Sequence, residues 1–168
     1  MRIVVNDTNL FIDLIHAELI EQFFQLPFEV HTTDFVVGEI EEPDQEEIIN
    51  DLVGSGRLVI AGSTFVEVEE IMSLQEIVNK LSVPDCSVWH YSKKNNYTLL
   101  TGDNLLRKTA EKDQVVVKGL LYIFDELVRL ELILPNVACV KLRFLLESGT
   151  RLPKDACDER FERWNESL

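Results

Sequence analysis

Arg2-Ile3-Val4-Val5-Asn6-Asp7-Thr8-Asn9 is the stretch on which the reading of this chain turns. An apolar run with no polar alternation reads as a strand buried on both faces of a parallel sheet. It stops at Asn6-Asp7, so an acid stands where the strand gives way to a loop. Ligands of open α/β sheets bind just outside the carboxyl ends of the strands. Asp7 is therefore expected at the rim of a site, and the question becomes whether other acids return to that rim.

The rest of the chain alternates strand and helix patterns. Apolar residues at helical spacing follow Asn9 as far as Leu26-Pro27, and Phe28 to Thr32 reads as a second strand. Thr33 or Asp34 is placed to cap a helix carrying Phe35, Val36, Val37, Glu39 and Ile40. Asp44 to Val53 reads as a helix, Leu58 to Ile60 as a strand and Phe65 to Leu81 as a surface helix. Ser82-Val83-Pro84-Asp85 opens a helix to about Lys94, and Tyr97 to Thr101 is a buried-type strand stopped by Gly102-Asp103. Asn104 to Lys112 reads as a helix, Val115 to Val117 as a strand, and Leu120 to Leu130 as a helix. Such alternation implies an α/β fold, a central parallel β-sheet flanked by helices in three layers. Residues 1–135 are expected to form that domain. Residues 136–168 form a C-terminal helical extension packed on it or trailing from it, with a helix over Val137 to Leu146 and a charged last stretch, helix or loose tail.

The chain has 168 residues and 46% apolar residues, enough for one well-packed domain. No apolar run approaches the roughly 18 residues of a membrane span, and the N-terminus lacks the basic-then-apolar pattern of a signal segment. Cys86, Cys139 and Cys157 are odd in number and lack ligand spacing, which favours reduced thiols and a cytoplasmic setting. The net charge of −14 argues against tight, nonspecific nucleic-acid binding. It is unevenly spread: Asp34 to Asp51 holds eight acids and no Lys or Arg, whereas Lys93 to Lys118 holds six basic residues against three acids.

Each acid of interest has an ordinary explanation. Asp7 can make an Asx turn, Asp85 a capping box with Ser82, and Asp103 an N-cap, while Glu39 is one acid in an acidic run. Together they point elsewhere. If their strands are neighbours, Asp7, Glu39, Asp85 and Asp103 share one crevice, and like charges a few ångströms apart repel by about a kilocalorie per pair even in water. Oxygen-only ligands suit Mg²⁺ or Mn²⁺, and His16, His31 and His90 lack zinc spacing.

At these residues the sequence resembles a known family. Asp7 in Val-Asn-Asp-Thr-Asn, Glu39 in Val-Gly-Glu-Ile, Asp85 in Pro-Asp-Cys and Asp103 in Leu-Thr-Gly-Asp resemble, in order and spacing, the four acidic motifs of PIN-domain nucleases. The similarity is strongest to the VapC-type toxins of toxin–antitoxin pairs and covers about residues 2–134. It implies a metal-dependent endoribonuclease in which Asp7, Asp85 and Asp103 hold Mg²⁺ or Mn²⁺. Glu39 then holds a second ion or orients the attacking water. Asn9, Thr101 and Asn104 would support the acids, and Asn104 stands where some members carry a further acid. Lys93, Lys94, Arg107 and Lys108 are the candidates for RNA phosphate contacts. An antitoxin protein and a second copy of the chain are the implied protein partners, with no membrane involved. The competing reading is a PIN-fold protein that cuts weakly or not at all and serves as a protein-interaction module. A haloacid dehalogenase-type phosphatase is disfavoured, because that chemistry wants an acid where Asn9 stands.

Overall fold

The computed structural model describes residues 2–166; residue 1 and the last two positions of the expected extension, 167–168, lie outside the described residues. Five parallel strands form one sheet: β1 (Arg2–Asn6), β2 (Phe28–Thr33), β3 (Leu58–Ala61), β4 (Thr98–Leu100) and β5 (Val117–Lys118). Their order is β3-β2-β1-β4-β5. Val4 and Val5 point to opposite faces of β1 and both are fully buried, so helices cover both sides of the sheet. This is the expected α/β architecture, and doubly buried strands explain why β1 reads as a continuous apolar run.

The strand order sets where a site can lie. The chain steps outward from β1 to β2 and β3, then crosses over to β4 and continues to β5. The direction of winding therefore reverses between β1 and β4, and the crevice outside the carboxyl ends of those two strands is the topological switch point. Asp7 directly follows β1, and Asp103 follows β4 by three residues.

The first connection contains α1 (Thr8–His16) and α2 (Ile20–Phe23). The single helix expected as far as Leu26 is split, because Glu18 adopts φ of 53° and breaks the hydrogen-bond ladder. The apolar spacing hides the break, since Leu19, Ile20 and Phe23 remain core residues. Then come α3 (Asp34–Val37), α4 (Pro43–Gly54), α5 (Phe65–Ile77), α6 (Val83–Asn95), α7 (Asn104–Lys112) and α8 (Leu120–Arg129). The expected helix through Glu39 is only one turn long, ending at Val37 with Gly38 as its C-cap, so Glu39 sits in the turn beyond it. The helix from Phe65 stops at Ile77 rather than Leu81, because Val78 leaves helical dihedrals. The last strand is Val117–Lys118 rather than Val115–Val117. Val115 instead donates to the carbonyl of Ala110 and closes the end of α7.

α6 packs across β1, β2 and β4. His31 reaches Tyr91 and Thr33 reaches Ser87, which fixes the side of the sheet that α6 covers. Alternation along the strands puts Val5 and Asp7 on that same side. Two helices follow α8: α9 (Pro135–Glu147) and α10 (Lys154–Glu166). α9 buries Ala138, Cys139, Leu142 and Leu145, and α10 buries Cys157 and Trp164, all in one cluster with the rest of the core. Arg160 and Arg163 both bond the Asp125 carboxylate of α8 and tie α10 down.

Candidate functional site

Asp7 is the N-cap of α1 and is 1% exposed. Its Oδ1 accepts from the Leu10 amide at 2.8 Å, and its Oδ2 accepts from the Thr101 hydroxyl. Burial pushes its carboxyl up to about 7, against the pull of those two hydrogen bonds, and the charges of Asp85 and Asp103 push it further in the same direction.

Asp103 caps α7, its Oδ1 accepting from Leu106 at 2.6 Å. Asp85 forms the expected capping box: Ser82 donates its amide to Asp85 Oδ2 at 2.9 Å, and Asp85 donates its own to Ser82 Oγ at 3.1 Å. Each cap uses one carboxylate oxygen. Among the described residues no donor bonds Asp85 Oδ1 or Asp103 Oδ2. Glu39 is exposed, and its Oε2 accepts from the Thr8 hydroxyl at 2.5 Å, which draws it toward the residue beside Asp7.

Hydroxyl groups join these acids, and of them the sequence points only to Thr101 as a supporting residue and to Thr33 as a helix cap. Thr101, the expected supporting residue, donates to Asp7 and accepts from the Asp103 amide at 3.0 Å, so one oxygen links the ends of β1 and β4. Thr8 ties in Glu39. Thr33 pairs with Ser87 at 2.7 Å, and Ser87 donates to the Pro84 carbonyl at 2.7 Å, which locks the first turn of α6, and Asp85 with it, to the end of β2. Thr33, Ser87 and Thr101 are almost or wholly buried, where an unpartnered hydroxyl is costly. A readable signal existed: Thr8, Thr33 and Thr101 each stand within two residues of an acid, where a strand's run ends.

The remaining candidates are placed as follows. Asn9 and Asn104 are exposed, and among the described residues neither side chain bonds a carboxylate; Asn9 lines a cavity with Asp103. Arg107 is half-buried beside the site, with Nη2 3.4 Å from the Thr101 carbonyl. Lys108 is exposed on the same helix. Lys93 and Lys94 are not brought to the acids. They pair with Asp113 at 2.6 Å and Glu67 at 2.8 Å near the far end of α6. At 1.5 Å per helical residue they lie roughly 12–14 Å along the axis from Asp85.

The donor set is oxygen only and suits a hard divalent ion. Among the described residues no group of three His, Cys, Asp or Glu side chains is gathered tightly enough to form a cage. Mg²⁺ needs no such cage, since one or two carboxylates suffice when waters and substrate phosphate fill the other positions. The carboxylates of Asp7, Asp85 and Asp103 have the chemistry for that manner of binding, without the tight grouping of a cage.

The family profile of the PIN domain matches residues 3–166. No curated protein matches the chain. Among solved structures, VapBC2 from Rickettsia felis, bound to a DNA fragment from its promoter, is similar at 16% identity and a TM-score of 0.48, over 70% of this chain and 98% of that one. FitAcB from Neisseria gonorrhoeae is similar at 14% identity and a TM-score of 0.41, over 68% and 95%.

Proposed function

The chain belongs to the PIN-domain family, and from that premise we propose that it is a metal-dependent endoribonuclease, the toxin of a toxin–antitoxin pair. The observation that carries this reading is the Thr101 hydroxyl bonded to both Asp7 and Asp103 at the switch point, with Asp85 near enough to act on the same buried carboxyl. In this reading Asp7, Asp85 and Asp103 hold Mg²⁺ or Mn²⁺. When bound, the ion supplies Lewis acidity and charge neutralisation at the phosphate. Thr101 fixes the rotamer of Asp7, and the caps fix those of Asp85 and Asp103, so the carboxylates are oriented before substrate arrives. Glu39, exposed and held by Thr8, orients the attacking water and accepts its proton. Water adds to phosphorus, the P–O bond to the leaving nucleoside breaks, and a proton returns to that leaving oxygen. Residues 1–135 carry this chemistry, and α9 and α10 of the C-terminal extension brace it. Three free, buried cysteines suit a cytoplasmic protein, and no helix among the described residues is long and apolar enough to cross a membrane. An antitoxin and a second copy are the protein partners we propose.

The looseness of the carboxylate set supports one alternative, a weak or inactive nuclease fold used as a protein-interaction module. Labelled single-stranded RNA incubated with Mn²⁺, Mg²⁺ or EDTA separates the two. Cleavage that needs metal and is lost in Asp7→Asn is the expected result. Intact RNA in every metal, with the wild-type protein folded, refutes the enzyme and leaves the module.

A further inference from the structure

The segment between α9 and α10 returns to the acidic edge. Gly149 turns the chain with φ of +99°, a conformation that suits glycine. Thr150 then fastens the segment to α1: its hydroxyl donates to Asp13 Oδ1 at 3.0 Å and its amide donates to the Leu145 carbonyl at 3.0 Å. The next residue, Arg151, is exposed and has no hydrogen-bond or ion-pair partner among the described residues. It sits where two cavities meet. One, of about 330 Å³, is shared with Asn9, Asp13 and Asp103. The other, of about 340 Å³, is shared with Arg107 and Tyr122.

Arg107 is held in place from three sides, with its Nη1 3.5 Å from the Glu111 carboxylate. Its Nη2 lies 3.4 Å from the Thr101 carbonyl, and it lies against Gly119, where a Cβ would come within 2.7 Å of that nitrogen. The Tyr122 ring, in the wall of the second cavity, carries Lys118 Nζ 5.5 Å from its centroid. Arg151 and Arg107 thus line adjoining cavities, one of them shared with Asp103, and Lys118 stands over a wall residue, in a chain whose net charge is −14. Of the two arginines, Arg151 is the one with its guanidinium uncommitted.

We propose that this groove binds the phosphodiester backbone of single-stranded RNA next to the acidic site, with Arg151 gripping one phosphate and Arg107 another. The inference rests on the nuclease reading and adds to it a role for the C-terminal segment. Cations spaced along a cleft match a repeating polyanion better than one small anion, and a cleft walled by two loops admits a flexible single strand. An arginine fork gives a phosphate two parallel hydrogen bonds, which an ammonium does not. Thr150 is a positioning residue, because its bond to Asp13 sets where Arg151 stands.

The test is fluorescence anisotropy with a short, labelled single-stranded RNA of mixed sequence, titrated with salt in EDTA and again with Mg²⁺. Wild type is compared with Arg151→Gln and with Arg57→Gln. Arg57 pairs with Glu21 at the opposite edge of the sheet, so its loss changes net charge equally. The expected result is severalfold weaker binding by Arg151→Gln at all sequences, with the slope of log affinity against log salt reduced by about 0.7. Arg57→Gln keeps the wild-type slope. Equal behaviour of the two variants, or no RNA binding by wild type in either condition, overturns the groove. Binding that depends on Arg151 without cleavage in any metal refutes the nuclease reading and leaves the groove standing. Metal-dependent cleavage with an unchanged KM in Arg151→Gln does the reverse.

Discussion

Replacing Asp7 by Asn should make the metal-free protein more stable, by an amount that depends on pH. Asp7 is buried, and its carboxyl is raised from the ordinary 3.8 to about 7. Below about pH 4 that carboxyl is protonated in folded and unfolded chains alike and contributes no pH-dependent cost. Between about 4 and 7 the folded chain keeps the proton and the unfolded chain releases it, so stability falls as pH rises. Above about 7 the whole cost is present. A gap of roughly 3 pH units at 1.36 kcal/mol each comes to about 4 kcal/mol. Asparagine keeps the local bonds: its Oδ1 can cap α1 through Leu10, and its amide can donate to the Thr101 hydroxyl. Urea denaturation of both proteins in EDTA, from pH 4 to pH 8, measures the difference directly. The two curves should meet near pH 4 and part steadily to about 4 kcal/mol at pH 8, with Asp7→Asn above. A gap that does not change with pH, or a less stable variant at pH 8, would show that Asp7 is not a charge held at the expense of the fold.

Three further outcomes test neighbouring parts of the structure. Thr101→Val removes the donor to Asp7 and the acceptor for the Asp103 amide; it should cost about 1–3 kcal/mol. The loss should be larger at pH 8 than at pH 4, because the lost hydrogen bond favours the ionised carboxylate; urea curves at the two pH values check it. Mg²⁺ or Mn²⁺ at 100 times its dissociation constant should stabilise wild type by about 2.7 kcal/mol. Most of that should vanish in Asp103→Asn, which still caps α7, and equal stabilisation of both proteins by denaturation with and without EDTA would remove Asp103 from the site. Trp164 is 2% exposed and packs on Phe124 with ring centroids 6.1 Å apart. Trp164→Ala should therefore cost about 3–5 kcal/mol, and a near-neutral change in thermal unfolding would mean that α10 is not part of the core.

What could be read in the sequence was local. β1 and β4 are legible because strands buried on both faces have no polar alternation, and the capping box at Ser82 and Asp85 is legible because it is written in four consecutive residues. Failures came where a local pattern was satisfied in another way. Val115-Val116-Val117 looks like a strand, but Val116 is 57% exposed and Val115 closes a helix. Lys93 and Lys94 look like a basic patch, but their charge is matched by Asp113 and Glu67, residues 20 and 27 positions away. Arg151 carries no local signal at all. Its place depends on a hydrogen bond between Thr150 and Asp13, 137 residues apart.

The caps and the candidate metal site are not competing explanations of the same acids. Asp85 and Asp103 give one oxygen to a helix N-terminus, where amides and the helix dipole favour negative charge, and leave the other without a donor among the described residues. A cap contributes about 1 kcal/mol, comparable with the repulsion of one exposed pair, so these two acids are nearly neutral to the fold and arrive with their rotamers set. Asp7 is different. Its cap also contributes about 1 kcal/mol, but burial of its charge costs about 4 kcal/mol, and asparagine would cap α1 as well. The fold alone gives no reason for an ionised group there. In the proposed nuclease a divalent cation would, since it would convert that cost into an attraction at the residue where the sheet presents its switch point.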